Sequence, residues 1–85
     1  KQFDKDWQQI ERAGRANLRR VKEIMLLLIA NDDPLPAEYK DHPLQGKYEG
    51  HRDCHAAGDL VLIYKIEKNE SVVFVRVGTH SELFE

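Results

Sequence analysis

The spacing of apolar residues changes at Lys47, and this constrains the fold more than any other feature of the chain. Ahead of Lys47 they recur every three or four residues, which puts them on one helix face. Beyond it they alternate or run together, as they do in strands. A chain helical in its first part and stranded in its last hides its helix faces on a sheet, an α+β arrangement.

Phe3, Trp7 and Ile10 predict an amphipathic helix over residues 3–13, stopped at Gly14. Asn17 is a candidate cap for a second helix. Leu18, Val21, Ile24, Met25, Leu28 and Ile29 carry that helix to near Asn31. So short a link sets the two helices antiparallel. Asp32-Asp33-Pro34-Leu35-Pro36 then breaks the pattern, because proline lacks the amide hydrogen and restricts its predecessor. Residues 32–46 are expected to form an ordered loop, with Pro43 and Gly46 as turns, carrying Tyr39, Lys40, Asp41 and His42.

Tyr48 to His55 is expected to be the first strand, with His51, Asp53 and His55 on one face and Gly50, Arg52 and Cys54 on the other. After a turn at Ala57-Gly58-Asp59, Leu60 to Ile66 is apolar on both faces, as a central strand is. Lys68-Asn69-Glu70 turns the chain into Val72–Val77, where Val72, Phe74 and Arg76 would share a face. Gly78 would end that strand. Residues 79–84 read as a tail or a helical turn capped by Thr79 or Ser81. One sheet face would lie on the helices and the other would be open to a ligand.

Eighty-five residues make one domain, 1–85, that hides only about 60–65% of its unfolded surface. The longest apolar run, Ile24 to Ala30, is far short of the roughly 20 residues that span a bilayer. No signal-peptide pattern is expected at the start of the chain. A single cysteine, Cys54, excludes an internal disulfide and fits a reducing cytoplasm. The net charge of −2 divides unevenly: residues 1–31 carry seven basic and four acidic groups, leaving the remainder at −5. Arg12, Arg15, Arg19, Arg20 and Lys22 make the helical half a candidate phosphate surface, or simply a solvated one.

All four histidines, His42, His51, His55 and His80, lie in the C-terminal half, His42 in the loop and the others beyond it. His51 and His55 have a spacing that suits zinc on a helix, but this segment alternates and lacks the glutamate of a helical zinc motif. Cys54 reads as a small buried side chain rather than a nucleophile. Arg76 interrupts an apolar strand and needs a partner: an ion pair with Asp53 or Asp59, or a bound phosphate. Cleavage of an RNA backbone needs a base for the 2′-hydroxyl, an acid for the leaving 5′ oxygen and a cation at phosphorus. Histidine suits the first two and arginine the third.

The string Tyr39-Lys-Asp-His-Pro-Leu-Gln-Gly46 carries a resemblance. With Gly50-His-Arg-Asp-Cys-His55, Asp59, Leu62-Ile-Tyr-Lys65, Arg76, Gly78-Thr-His80 and Leu83-Phe84, the chain resembles YafQ-type toxins of the RelE/ParE superfamily. The resemblance is dense over 35–84 and looser over the helices. It implies a RelE-like fold: two N-terminal antiparallel helices on a small, mainly antiparallel sheet, with a short C-terminal helical turn. The family's first strand would precede residue 1. It implies a ribosome-dependent endoribonuclease that cuts mRNA in the ribosomal A site without metal or cofactor, acts in the cytoplasm, and is held by a cognate antitoxin. DNA would be met only through the antitoxin complex. The implied roles are His80 as general acid, a base function shared among His42, His55 and Asp59, Arg76 on the scissile phosphate and Phe84 stacking on a base. His51 has no family role and reads as a surface residue. Leu60 stands where the family can carry an aromatic side chain, so one stacking surface would be lost. Gyrase-inhibiting toxins share the superfamily fold but lack these histidines, which keeps a non-catalytic interaction module as the alternative.

Overall fold

The computed structural model describes residues 2–14, 18–30, 35–68 and 71–84. Two helices come first, α1 (Gln2–Arg12) and α2 (Leu18–Ala30). Four strands follow: β1 (His42–Pro43), β2 (Arg52–Ala57), β3 (Leu60–Ile66) and β4 (Val72–Thr79). A short helix, α3 (His80–Phe84), closes the chain. The strands form an antiparallel sheet in chain order, β1-β2-β3-β4. Arg15, Asn17 and residues 31–34, which include the expected cap and helix stop, lie outside the described residues.

β3 is the centre of the fold. Leu60, Leu62 and Tyr64 face the helices, where they meet Ile10, Val21, Ile24, Cys54 and Val77. Val61 and Ile63 point the other way and have no exposed surface either. They pack with Leu83, and Leu44, Tyr48, Val75 and Phe84 close over them. Burying such side chains contributes about 1.5–3 kcal/mol each. The second sheet face is therefore not open, as its alternation had suggested: the loop before β2 and α3 cover its middle. The site forms around that cover.

Two boundaries and one register differ from the expectation. β2 begins at Arg52, because residues 46–48 form a 3-10 turn and Gly50 adopts φ 87°, a left-handed conformation that favours glycine. β4 runs through Gly78 to Thr79. A Cβ at Gly78 would meet Glu82 Oε1 at 3.1 Å and Leu83 Cδ2 at 3.3 Å, so glycine there lets α3 fold back on the strand. Third, β4 carries a bulge. Ile63 pairs with Arg76 but Tyr64 pairs with Phe74, which leaves Val75 as the extra residue. Val72 and Phe74 pack toward the helices, whereas Arg76 stands opposite Ile63 on the other face. Simple alternation had put all three together.

α1 packs along the edge strand β4, and α2 packs over β2. Phe3, Trp7, Met25, Leu26 and Ile29 line an apolar groove between the helices. One ion pair clamps α1 to β4. Arg76 Nε donates to Asp6 Oδ2 at 2.7 Å, and Nη2 donates to Oδ1 at 3.2 Å. The Val77 amide also donates to Asp6 Oδ2 at 3.2 Å. Arg76 therefore pairs with neither Asp53 nor Asp59: the bulge aims it at the sheet edge where α1 lies. Burial alone would raise the Asp6 carboxyl, but the hydrogen bonds from Arg76, Gln2 and Val77 outweigh that and hold it below its ordinary value.

A carboxyl held low binds protons more weakly folded than unfolded. Its stabilisation is complete above the unfolded value of about 3.9 and is lost as pH falls through the folded one. Asp6→Asn is expected to lose about 2–3 kcal/mol at pH 7 in urea unfolding, and the gap to wild type should narrow below about pH 4.

Candidate active site

β1 is only two residues long, yet it fixes His42. Asp41, just before it, accepts from Arg52 Nε at 3.0 Å and from the Tyr64 hydroxyl at 2.6 Å. Lys40 takes a left-handed φ of 51°, and the Leu44 amide bonds the His51 carbonyl at 2.9 Å. These contacts tie the proline loop to the sheet. In the resulting register His42 stands opposite Asp53.

Asp53 shares its face with His55, because both lie on β2 two residues apart and oppose Ile63 and Val61. The aspartate is 2% exposed. His42 Nε2 lies 3.0 Å from its Oδ1, at ion-pair distance but outside directed hydrogen-bond alignment, so Oδ1 is left without a directed partner. His42 Nδ1 donates to the Lys40 carbonyl at 2.7 Å. The rings of His42 and His55 are 6.2 Å apart. Burial raises the Asp53 carboxyl above its ordinary value, opposed by the charges of His42, His55 and His80. Three imidazoles from β1, β2 and α3 thus act on one buried carboxyl.

α3 positions His80 by a reciprocal cap. The Thr79 amide donates to Glu82 Oε1 at 2.9 Å, and the Glu82 amide donates to Thr79 Oγ1 at 3.2 Å. The His80 amide donates to the Asp59 carbonyl at 3.0 Å. The sequence offered Thr79 or Ser81 as the cap, and Thr79 fills the position. Phe84 comes back one turn later, its ring 4.7 Å from that of His80. Tyr48 meets Phe84 edge-on at 5.9 Å and accepts a 3.5 Å contact from Arg76 Nη1 at its hydroxyl. Contacts run unbroken from His80 through Phe84 and Tyr48 to Arg76.

Of the sequence candidates, His42, His55 and His80 converge on Asp53, and Arg76 and Phe84 join through Tyr48. Asp59 supplies its backbone carbonyl to His80 while its side chain is exposed. His51 lies outside β2, 5.9 Å from the Tyr48 ring. Leu60 is 2% exposed in the core under the helices, so its side chain is remote from the stacking surface expected there. Arg20 donates to Glu38 at 2.8 Å and lies over the Tyr39 ring, tying α2 to the loop. Lys22 reaches over Trp7, while Arg12 and Arg19 are exposed on the helices and Arg15 is outside the described residues. Two site residues carried no assigned role in the sequence. Asp53 was legible as alternating with His55, but its pairing with His42 required the register of β1. Tyr48 gave no signal, because its segment was read as strand.

Cys54 has no exposed surface, and burial, with Asp41 and Asp53 nearby, pushes its thiol up to about 12. In the folded protein it should resist a thiol-titrating disulfide reagent at pH 8, and should react at once in denaturant. Thr79→Ala is expected to cost about 1 kcal/mol in thermal unfolding.

The whole chain, residues 1–85, matches the family model described as a bacterial toxin of type II toxin-antitoxin system, YafQ. The mRNA interferase toxin YafQ of Escherichia coli strain K12 is 45% identical over 83 residues, covering 98% of this chain and 88% of that protein. The crystal structure of YafQ from E. coli strain BL21(DE3) superposes with a TM-score of 0.91 at 43% identity, covering 99% of this chain and 91% of that one. The crystal structure of the E. coli DinJ-YafQ complex gives 0.87 at 44% identity, covering 99% and 91%.

Proposed function

We propose that this chain, which belongs to the YafQ family of bacterial type II toxins, is an mRNA interferase that cuts mRNA on the ribosome and is held inactive by a cognate antitoxin. The curated relative from E. coli is an mRNA interferase by name, and the relative in the DinJ-YafQ complex is bound to its antitoxin. One observation carries the chemistry: the charges of imidazoles from three elements act on one buried carboxyl, which His42 meets at 3.0 Å, with an arginine linked to His80 through Tyr48 and Phe84.

The reaction starts when a base takes the proton of the 2′-hydroxyl. His42, His55 and Asp59 are the candidates. The 2′ oxygen attacks phosphorus, the P–O5′ bond breaks, and His80 as general acid gives its proton to the leaving 5′ oxygen. Negative charge grows on the phosphate oxygens during attack, where a fixed guanidinium stabilises it. Asp6 occupies the Nε and Nη2 side of Arg76, so Nη1, beside the Tyr48 hydroxyl, is the part left to meet phosphate. Phe84, its ring tilted against that of His80, is the proposed stacking surface for a base, a contact worth about 1–3 kcal/mol in single-strand binders. These residues supply acid, base and cation from the chain itself. Exposed Arg12 and Arg19, with Lys22, are the proposed contacts to ribosomal RNA, and Arg15 joins them by its place in the sequence. No helix among the described residues is long and apolar enough to cross a membrane, and action in the cytoplasm follows from the substrate.

Toe-printing of ribosome-bound mRNA tests the reading. His80→Ala and Arg76→Ala are each expected to lower the cleavage rate by about 100-fold or more. Cleavage at the wild-type rate by both variants overturns the assignment. Translation that continues while DNA is damaged would favour the non-catalytic alternative.

A further inference from the structure

His42 has both ring nitrogens engaged. Nδ1 lies 2.7 Å from the Lys40 carbonyl oxygen, which only accepts, so Nδ1 carries a hydrogen. Nε2 lies 3.0 Å from Asp53 Oδ1. In a neutral ring with its hydrogen on Nδ1, the unprotonated and electron-rich Nε2 would sit 3.0 Å from a carboxylate oxygen. Asp53 is 2% exposed, so water does not relieve that repulsion. No directed hydrogen bond from the described residues reaches Oδ1. One proton between Nε2 and Oδ1 removes the conflict, as imidazolium beside carboxylate or as imidazole beside carboxylic acid. His55 differs. It faces the same carboxyl from β2, yet its ring makes no hydrogen bond among the described residues.

We propose that Asp53 is a positioning residue that shares one proton with His42, keeps both His42 nitrogens occupied, and so leaves proton abstraction to His55. The inference rests on the nuclease reading and narrows its base. His42 comes from β1, His55 from β2, His80 from α3 and Asp41 from the loop before β1; these are the charged groups that act on the Asp53 carboxyl. Burial raises the Asp53 carboxyl above its ordinary value, the direction that favours a proton on the pair. The shared proton also makes the pair neutral as a unit, so an approaching phosphate meets no net negative charge there.

The carboxylate acts as a lock on His42, and its removal frees Nε2 while Nδ1 stays on Lys40. Asp53→Ala therefore gives the site a second imidazole able to act as base. Two measurements test this. The first is imidazole nitrogen–proton NMR of the isolated protein at neutral pH. Wild type should show protons at both His42 nitrogens, and Asp53→Ala should keep only the one at Nδ1. The second is cleavage of ribosome-bound mRNA. His55→Ala should lose about 100-fold in rate, and adding Asp53→Ala should restore about tenfold of it. A purely structural aspartate gives the opposite sign, since a second damaging change would lower activity further. Identical His42 signals in wild type and Asp53→Ala overturn the proposal, and so does a double variant no faster than His55→Ala. Circular dichroism checks folding. Should Asp53→Ala unfold, Asp53→Asn takes its place in the NMR arm, where loss of the His42 Nε2 proton is expected and its persistence overturns the proposal. Failure of the wild-type protein to cleave ribosome-bound mRNA would instead remove the nuclease reading, while the NMR result would still decide the His42–Asp53 pair.

Discussion

The burial of β3 on both faces is the constraint from which the rest follows. Leu60, Leu62 and Tyr64 need one apolar layer, and Val61 and Ile63 need another. Two amphipathic helices supply the first. The second has to be assembled from short pieces: Leu44 and Tyr48 of the connecting loop, Val75 of the bulge, and Leu83 and Phe84 of α3. Those same pieces carry or flank His42, Arg76 and His80. Covering the sheet and building the site are therefore one structural task.

Electrostatics gives the site its character. A carboxyl such as Asp53, 2% exposed, is unfavourable as an anion unless positive charge is near. Here the charges of imidazoles on three separate elements oppose that penalty without cancelling it, and the carboxyl stays above its ordinary value. Asp6 follows the same logic at the sheet edge. Its buried carboxylate is matched by Arg76 and a backbone amide, so one helix residue fixes both the docking of α1 and the angle of the guanidinium. Asp6 holds the Nε and Nη2 side of Arg76, and Nη1 lies beside the Tyr48 hydroxyl.

Much of this was legible in the sequence because the signals were local. The helix period, the apolar run of Leu60–Ile66 and the Gly-Thr-His turn are each decided within a few residues. The cap needed only Thr79 and Glu82, three apart. What was not legible depended on registers between distant segments. The pairing of His42 with Asp53 follows from how a two-residue strand meets β2. Asp6 and Arg76 are seventy positions apart, and nothing local marks Asp6 among the polar residues of α1. The strand expected at Tyr48 gave way to a turn because Gly46 and Gly50 both take left-handed conformations. The face of Arg76 was misjudged because alternation assumes an unbroken count.

That broken count has a consequence of its own. Between Val72 and Val77 the chain holds one more residue than its neighbour needs, and this surplus puts Arg76 on the face opposite Phe74, with its guanidinium at the edge where Asp6 of α1 lies. Shortening β4 by one residue would restore regular alternation and leave the local composition almost unchanged. It would leave the arginine opposite Ile63 but remove the local bend that the extra residue puts into the strand. The angle at which the arginine meets Asp6 thus depends on the length of a strand as well as on the residues within it.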